Sequence, residues 1–194
     1  MNQTIEALLK RRSIRKYKSD QISDADLKLI LDTGLYAPNG GNLQYTRFIV
    51  VQDPEVLARI NAIVRDELRK CKITEGMYKS KVNSITKAQS DEYNFMFHAP
   101  TLIIALSLTG HGNSMADCAL ALGNMQNAAT SLGLGSCYVN QMHWLTDNIN
   151  LREYVYQLGM REDEDIYGSM VLGYPDQPVQ NPAARIEGRV VIIK

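Results

Sequence analysis

Arg11, Ser13 and Arg15 stand at alternate positions of the run Lys10-Arg-Arg-Ser-Ile-Arg-Lys-Tyr17. Fixed cations and a hydroxyl in so short a stretch are the chemistry that a phosphate or an electron-rich ring requires, because a guanidinium stays charged and donates in a planar fork. Further on, Pro38, Asn39, Gly40, Gly41, Asn42, Leu43 and Gln44 follow one another. The proline and the adjacent glycines make a tight bend where backbone can approach a flat ligand, and Asn42 and Gln44 bring amide donors and acceptors. Plainer readings stand beside these. A basic run is often a solvated face or a nucleic-acid patch, and Asn-Gly-Gly-Asn between periodic segments is by default a turn.

The charge balance argues against nucleic acid. The chain has 194 residues with 21 basic and 21 acidic side chains, so its net charge is zero, whereas a dedicated DNA binder carries surplus positive charge to displace counterions. Length and composition (45% hydrophobic, 22% charged) suit one globular unit spanning residues 1–194. The N-terminal residues lack the long apolar core of a secretory signal. The longest weakly polar stretch, Ser114 to Leu132, is interrupted by Asp117, Asn124, Gln126 and Asn127, which suits a helix buried in protein rather than in lipid. Cys71, Cys118 and Cys137 show no C-x-x-C spacing and are odd in number, as expected of reduced thiols. A cytoplasmic protein with no membrane partner is the expectation. His98, His111 and His143 lack ligand-like spacing, which argues against a metal site.

The elements that must position these residues begin as an α/β alternation. Thr4 precedes a short amphipathic helix with Ile5, Leu8 and Leu9. Ser23 and Asp26 open a second helix carrying Leu27, Ile30, Leu31 and Gly34 on one face and closed by Ala37-Pro38. Arg47 to Gln52 reads as a buried strand, and Asp53-Pro54 starts a helix with Val56, Leu57, Ile60, Ile63, Val64 and Leu68 at helical spacing. Residues 70–95 have weak periodicity and suit either a mobile flap over a site or a plain surface connection. Thr101 to Leu106 is a strand. Ser114 and Asp117 are expected to cap a helix that ends at Gly133, so apolar that it belongs in a core or a dimer interface. Gly135 to Val139, Leu151 to Leu158 and Ile166 to Tyr174 read as strand, helix and strand. The prolines between Pro175 and Pro182 force an extended arm, and Arg189-Val-Val-Ile-Ile-Lys194 reads as a last strand that needs a sheet edge.

Arg11 to Arg15, Pro38 to Gln44, Gly133-Leu-Gly-Ser-Cys-Tyr-Val-Asn140, and Gly173-Tyr-Pro175 with Pro182-Ala-Ala-Arg185 occur in this order along nearly the whole chain. Together they resemble the FMN-dependent nitroreductase family. The resemblance implies an α+β fold, with a central, mostly antiparallel sheet surrounded by helices. It implies an intertwined homodimer with a C-terminal arm, about residues 175–194, exchanged between subunits. It further implies an enzyme that takes hydride from NADH or NADPH onto FMN and passes it to a small-molecule electron acceptor, a nitroaromatic, quinone or activated alkene, by a ping-pong mechanism. FMN rather than FAD agrees with the absence of a Gly-x-Gly-x-x-Gly loop.

Residue by residue, the resemblance puts Arg11 and Ser13 on the flavin phosphate with Arg12 beside them, and Arg15 against the pyrimidine edge of the ring. There a fixed cation stabilises the charge that reduction places around N1 and O2. Pro38, Asn39, Gly40, Asn42 and Gln44 would complete the partner subunit's site. Val139, Asn140 and Gln141 match the strand end facing N5 and O4, and Arg185, with Arg189 as a second candidate, matches the C-terminal basic residue on the phosphate. Many relatives follow the glutamine with proline and tryptophan, where this chain has Tyr45 and Thr46, so the pocket wall differs there. Tyr45, Tyr78 and Tyr93 are the candidates for contact with substrate. The family's additional asparagine and lysine near the ring have no evident counterpart within residues 61–98. Cys137 reads as a small core residue, with no histidine or acid spaced to activate it. His143 and Trp144 read as a packing pair, with substrate contact as the alternative. A reductive dehalogenase, an FMN-binding protein without turnover, and a basic-arm nucleic-acid binder are the competing functions.

Overall fold

The computed structural model describes residues 2–179 and 181–194; Gln180, within the proline arm, lies outside the described residues. A four-stranded sheet runs through the middle, built from β1 (Arg47–Val51), β2 (Thr101–Leu108), β3 (Gly135–Val139) and β4 (Glu164–Gly173) in the order β1-β2-β4-β3. Every pairing is antiparallel. Alternation along β2 divides the core: Leu102, Ile104 and Leu106 face one layer, Ile103 and Ala105 the other. The first layer holds α3 (Pro54–Lys70), α4 (Lys79–Lys87) and α7 (Ile149–Gln157), through residues such as Ile60, Val64, Leu68, Ile85, Leu151 and Val155. The second holds α2 (Asp24–Leu35) and α5 (Ser114–Ser131), through Ile30, Leu122, Met125 and Ala129. α1 (Gln3–Lys10) lies against α5 with no residue fully buried, and α6 (Gln141–Trp144) is a single turn after β3.

Local signals explain most boundaries. Ser23 caps α2 by accepting from the Asp26 amide at 3.1 Å, and Asp53 caps α3 by accepting from Glu55 and Val56. Gly133 and Gly159, with φ of 74° and 107°, stop α5 and α7 in the left-handed conformation that a Cβ disfavours.

Several expectations are corrected. β1 is a half-buried edge strand rather than a buried one: it has one ladder neighbour, although its side chains still alternate between the two layers. Residues 70–95 contain α4 and are tied down. The buried Asn61 side chain donates to the Tyr93 carbonyl at 3.0 Å and accepts from the Phe95 amide at 3.1 Å, and Phe95 is fully buried. Neither Ser114 nor Asp117 caps α5 with its side chain. The Ser114 hydroxyl donates to the Leu108 carbonyl and lies 2.9 Å from Ser107 Oγ, and the Asp117 carboxylate accepts from the Gly40 amide at 3.1 Å. Residues 189–194 form no strand within the chain, and Ile193 is 93% exposed.

The segment after α1 is bound to the sheet where β3 begins and β4 ends. The Ile14 amide donates to the Ser136 carbonyl, the Lys18 amide to the Tyr174 carbonyl, and the Asp176 amide returns to the Lys16 carbonyl, each at 2.9 Å. Gly135 and Gly173 are register partners in the β3–β4 ladder. A Cβ on Gly135 would sit 3.0 Å from Ile14, and one on Gly173 would sit 2.7 Å from Pro100 and 3.2 Å from Tyr17. Their missing side chains are what let Ile14 and Tyr17 lie down on the strand ends. Gly173→Ala is therefore expected to destabilise the fold by about 1–3 kcal/mol through overpacking against a rigid proline ring; urea unfolding measures it, and an unchanged midpoint would refute it.

Candidate functional site

The chain leaves α1 at Lys10, and Arg11, already extended in ψ, caps the helix end with its amide donating to the Ala7 carbonyl. Arg12 turns its guanidinium back onto the carbonyls of Leu9 and Arg11, closing the helix end. Its Nε is buried with no partner. Ser13 bridges to Ser136, and Arg15 is exposed, its guanidinium donating to the Ser13 carbonyl only at 3.5 Å. Arg11, Arg12, Ser13 and Arg15 form one wall of a cleft of about 500 Å³ whose other wall is the returning arm, with Arg185. Among the described residues no carboxylate lines this cleft, and none forms an ion pair with these arginines. Guanidinium groups gathered without a carboxylate are the chemistry that an anion requires.

A second cleft, of about 360 Å³, shares Arg15 with the first. Val139, Asn140 and Gln141 line it at the end of β3, and Tyr78 lines it opposite. Gln141 is buried; its Nε2 donates to Ser84 Oγ at 3.2 Å and to the Tyr93 hydroxyl at 3.3 Å, while its Oε1 has no partner. Tyr93 thus stands behind Gln141 rather than in the cleft. Tyr78 meets Trp144 edge to face with centroids 6.3 Å apart. His143 is held away from the cleft, Nδ1 at 2.8 Å from the Ile166 carbonyl and the ring stacked on Tyr167.

Sequence reasoning missed Ser80, Asn83, Ser84 and Phe97 in this cleft. The α4 residues carry a signal that could have found them: Ser80, Asn83 and Ser84 sit at i, i+3 and i+4, one polar stripe of a short helix. Phe97 carries none. Phe97 and His98 both take positive φ, 57° and 56°, a conformation that costs about 1–2 kcal/mol per non-glycine residue.

The glycine loop lies elsewhere in the chain. Gly40–Asn42 form a 3-10 turn whose Gly41, Asn42 and Gln44 have φ of 62°, 53° and 54°. Asn39 Oδ1 accepts from the Gln44 amide at 3.0 Å, and Asp117 fixes Gly40. A Cβ on Gly40 would run into the Asn113 amide. Pro38, Asn39 and Gln44 line a pocket of about 190 Å³ that shares no residue with either cleft. Tyr45 is exposed and meets His111 edge to face at 5.3 Å, outside all three. Arg189 is exposed and lines neither cleft. The chain by itself therefore brings together Arg11, Arg12, Ser13, Arg15, Tyr78, Val139, Asn140, Gln141 and Arg185, and not Pro38, Asn39, Gly40, Asn42, Gln44, Tyr45 or Arg189.

The Nitroreductase family profile matches residues 8–174. The chain belongs to that family. A crystal structure of a Bacteroides fragilis nitroreductase with bound FMN superposes with a TM-score of 0.90 at 31% identity, each chain covered in full. The NADPH-flavin oxidoreductase of Vibrio harveyi is 27% identical over 193 residues, covering 99% of this chain and 73% of that protein. An iodotyrosine deiodinase of Thermotoga neapolitana is 25% identical over 175 residues, covering 87% of each. Among the described residues no helix is long and apolar enough to cross a membrane.

In this nitroreductase-family chain the cysteine beside the site, Cys137, is buried. Burial pushes the Cys137 thiol up, and the nearby Arg15 and Ser13 offset that only in part; burial pushes Cys118 up to about 12. Both are protonated at pH 8, and a thiol is a poor nucleophile. Cys71 is only half-buried. Iodoacetamide applied to the native protein at pH 8 is expected to label Cys71 first, by peptide mass spectrometry. Equally fast labelling of Cys137 would show it to be an activated thiol.

Proposed function

We propose that the protein is a homodimeric FMN-dependent oxidoreductase that takes hydride from NADH or NADPH and delivers it to a nitroaromatic, quinone or activated alkene in a ping-pong sequence. The observation that carries this reading is Arg15, which lines both the arginine cleft and the cleft at the end of β3. One ligand with an anionic tail and a flat polar ring would span the two. The residues present fit FMN in chemistry. Arg11, Ser13 and Arg185 offer donors with no competing carboxylate, and the ring end offers aromatic walls, the polar stripe of α4, and a buried Gln141 Oε1 without a partner. Bound FMN supplies two-electron transfer between nicotinamide and acceptor. Arg11, Ser13 and Arg185 would hold the tail, and Arg15 would place a fixed positive charge at the ring edge. The buried wall of Cys137 and Val139 excludes water from one side. The polar, aromatic mouth at Tyr78 and Trp144 would receive nicotinamide and acceptor in turn.

The dimer is supported by what the chain leaves bare. Met115 and Leu120 on α5 with Leu132 just beyond it, Ile5, Leu8 and Leu9 on α1, and Leu35 at the end of α2 with Tyr36 after it are all exposed. So are Val190, Val191, Ile192 and Ile193 beyond the arm, while among the described residues the outer edge of β1 has no partner strand. Apolar residues and an open edge of this kind are what a second copy covers. The separate Pro38–Gln44 loop would then complete the partner's site. The similarity to a deiodinase favours reductive dehalogenation as the second reading, which a halogenated phenol in the acceptor panel separates from nitro and quinone reduction.

The protein is expected to bind FMN in preference to FAD and to bleach in the flavin band on adding NADH or NADPH. Failure to take up FMN refutes the reading, and uptake without bleaching leaves only a flavin-binding protein. Arg15→Ala should lower the midpoint of bound FMN by some tens of millivolts, since a charge-assisted contact is worth roughly 1.5–3 kcal/mol and about 30 mV corresponds to 1.4 kcal/mol for a two-electron couple. Arg11→Ala should weaken FMN retention with little change in midpoint. Spectroelectrochemical titration of both variants decides between these roles. Deleting residues 176–194 should release monomer and cofactor together, by light scattering and flavin absorbance. A stable monomer that keeps FMN would contradict the dimer.

A further inference from the structure

Arg15 is the residue on which the proposed site turns, yet little in its own neighbourhood fixes it. It is exposed, its contact to the Ser13 carbonyl is at 3.5 Å, and among the described residues it forms no ion pair. Its guanidinium lies over the ring of Phe97, with Cζ 5.9 Å from the centroid. That is the outer range for attraction between a cation and the negative face of an aromatic ring. Phe97 is presented from an unusual piece of backbone. It and His98 are consecutive non-glycine residues in the left-handed region, a conformation that persists only where the surroundings over-determine it.

Those surroundings are visible. The Asn94 carbonyl accepts from the Phe97 amide at 3.2 Å, and Asn94 Oδ1 accepts from the amides of Met96 at 2.9 Å and His98 at 3.3 Å. The Asn61 side chain holds the chain just before this turn, and the buried side chains of Phe95 and Met96 root it in the core. His98 and Asn94 line a different pocket with Met96, so Phe97 is the residue of this turn that shares a cleft wall with Arg15.

We infer that Phe97 is a positioning residue: its ring, held by the Asn94 turn, fixes the Arg15 guanidinium at the junction of the two clefts, so that the charge waits where reduction of the cofactor demands it. The role in tuning the flavin rests on the proposed FMN site; the positioning itself does not. Phe97→Leu keeps apolar bulk and the same backbone demand but removes the π face, and Phe97→Trp restores it.

The test has a readout without flavin and one with it. In the cofactor-free protein, 15N relaxation of the Arg15 Nε–H group should show a clear loss of order in Phe97→Leu and recovery in Phe97→Trp, with unchanged melting temperatures. Unaltered Arg15 order in Phe97→Leu overturns the inference whatever the cofactor. With FMN bound, Phe97→Leu should reduce the preference for reduced over oxidised flavin about three- to tenfold, tenfold being about 30 mV for a two-electron couple. The same substitution in an Arg15→Ala background should add nothing. An equal shift in that background would show that Phe97 acts on the flavin directly and overturn the positioning role. Loss of Arg15 order without FMN uptake would instead refute the cofactor reading alone.

Discussion

The site depends on two glycines that face each other across a ladder. Gly135 opens β3, Gly173 closes β4, and they are register partners. With no Cβ on either, the segment from Ser13 to Lys18 can lie across the strand ends, bound through Ile14 to Ser136 and through Lys18 to Tyr174. Everything charged in the arginine cleft hangs on that seam. Arg11 and Arg12 stand where α1 gives way to it, Arg15 projects from it, and the arm bearing Arg185 leaves along it, fastened by Asp176 to Lys16. A β-branched residue at either glycine would lift the seam and move all of these groups together.

Electrostatics and packing divide the labour cleanly. The sheet core is apolar on both faces, and its buried charge is compensated: Glu164, 2% exposed at its side chain, lies 2.7 Å from Arg47 and accepts from the Arg161 amide. Arg152, in turn, is held by Asp165 and stacks on Tyr156. A buried carboxylate left unpaired would cost several kcal/mol, so these pairs are satisfied. The arginine cleft does the opposite and leaves its cations without carboxylates. Among the described residues the contrast separates ion-paired arginines from those that meet no carboxylate by their partners rather than by their residue type.

Among the described residues conformational energy is spent on left-handed backbone at non-glycine positions in two places, and both border a cleft or pocket. The Gly41–Gln44 turn and the Phe97–His98 pair hold non-glycine residues at positive φ, each locked by an asparagine, Asn39 in the first and Asn94 in the second. In each an asparagine side chain accepts from backbone amides that the turn would otherwise leave exposed. Strain of this kind is retained where a side chain must be presented from a fixed direction.

Local chemistry was enough to read most elements. Ser23, Asp53 and Pro54 start helices by satisfying amides that the first turn cannot, Gly133 and Gly159 end them, and the alternating or continuous apolar runs mark the strands, because each of these effects acts within a few residues. The arginine run and the motif order along the chain likewise pointed to the family now shown. What depends on distant partners was not legible. β1 carries the apolar run of a central strand but sits at an edge, and α4 was hidden in a polar stretch whose helix is stabilised by Ser84 and Ile85 packing inward. The tail from Arg189 to Lys194 has strand composition but no ladder inside one chain. Nor could local pattern foresee that Asp117 would hold the glycine loop instead of capping α5, or that Phe97 would lie under Arg15. Composition and short-range spacing determined which residues could do the chemistry; long-range pairing across the sheet decided which of them meet, since burial and register are properties of the assembled layers and not of any segment alone.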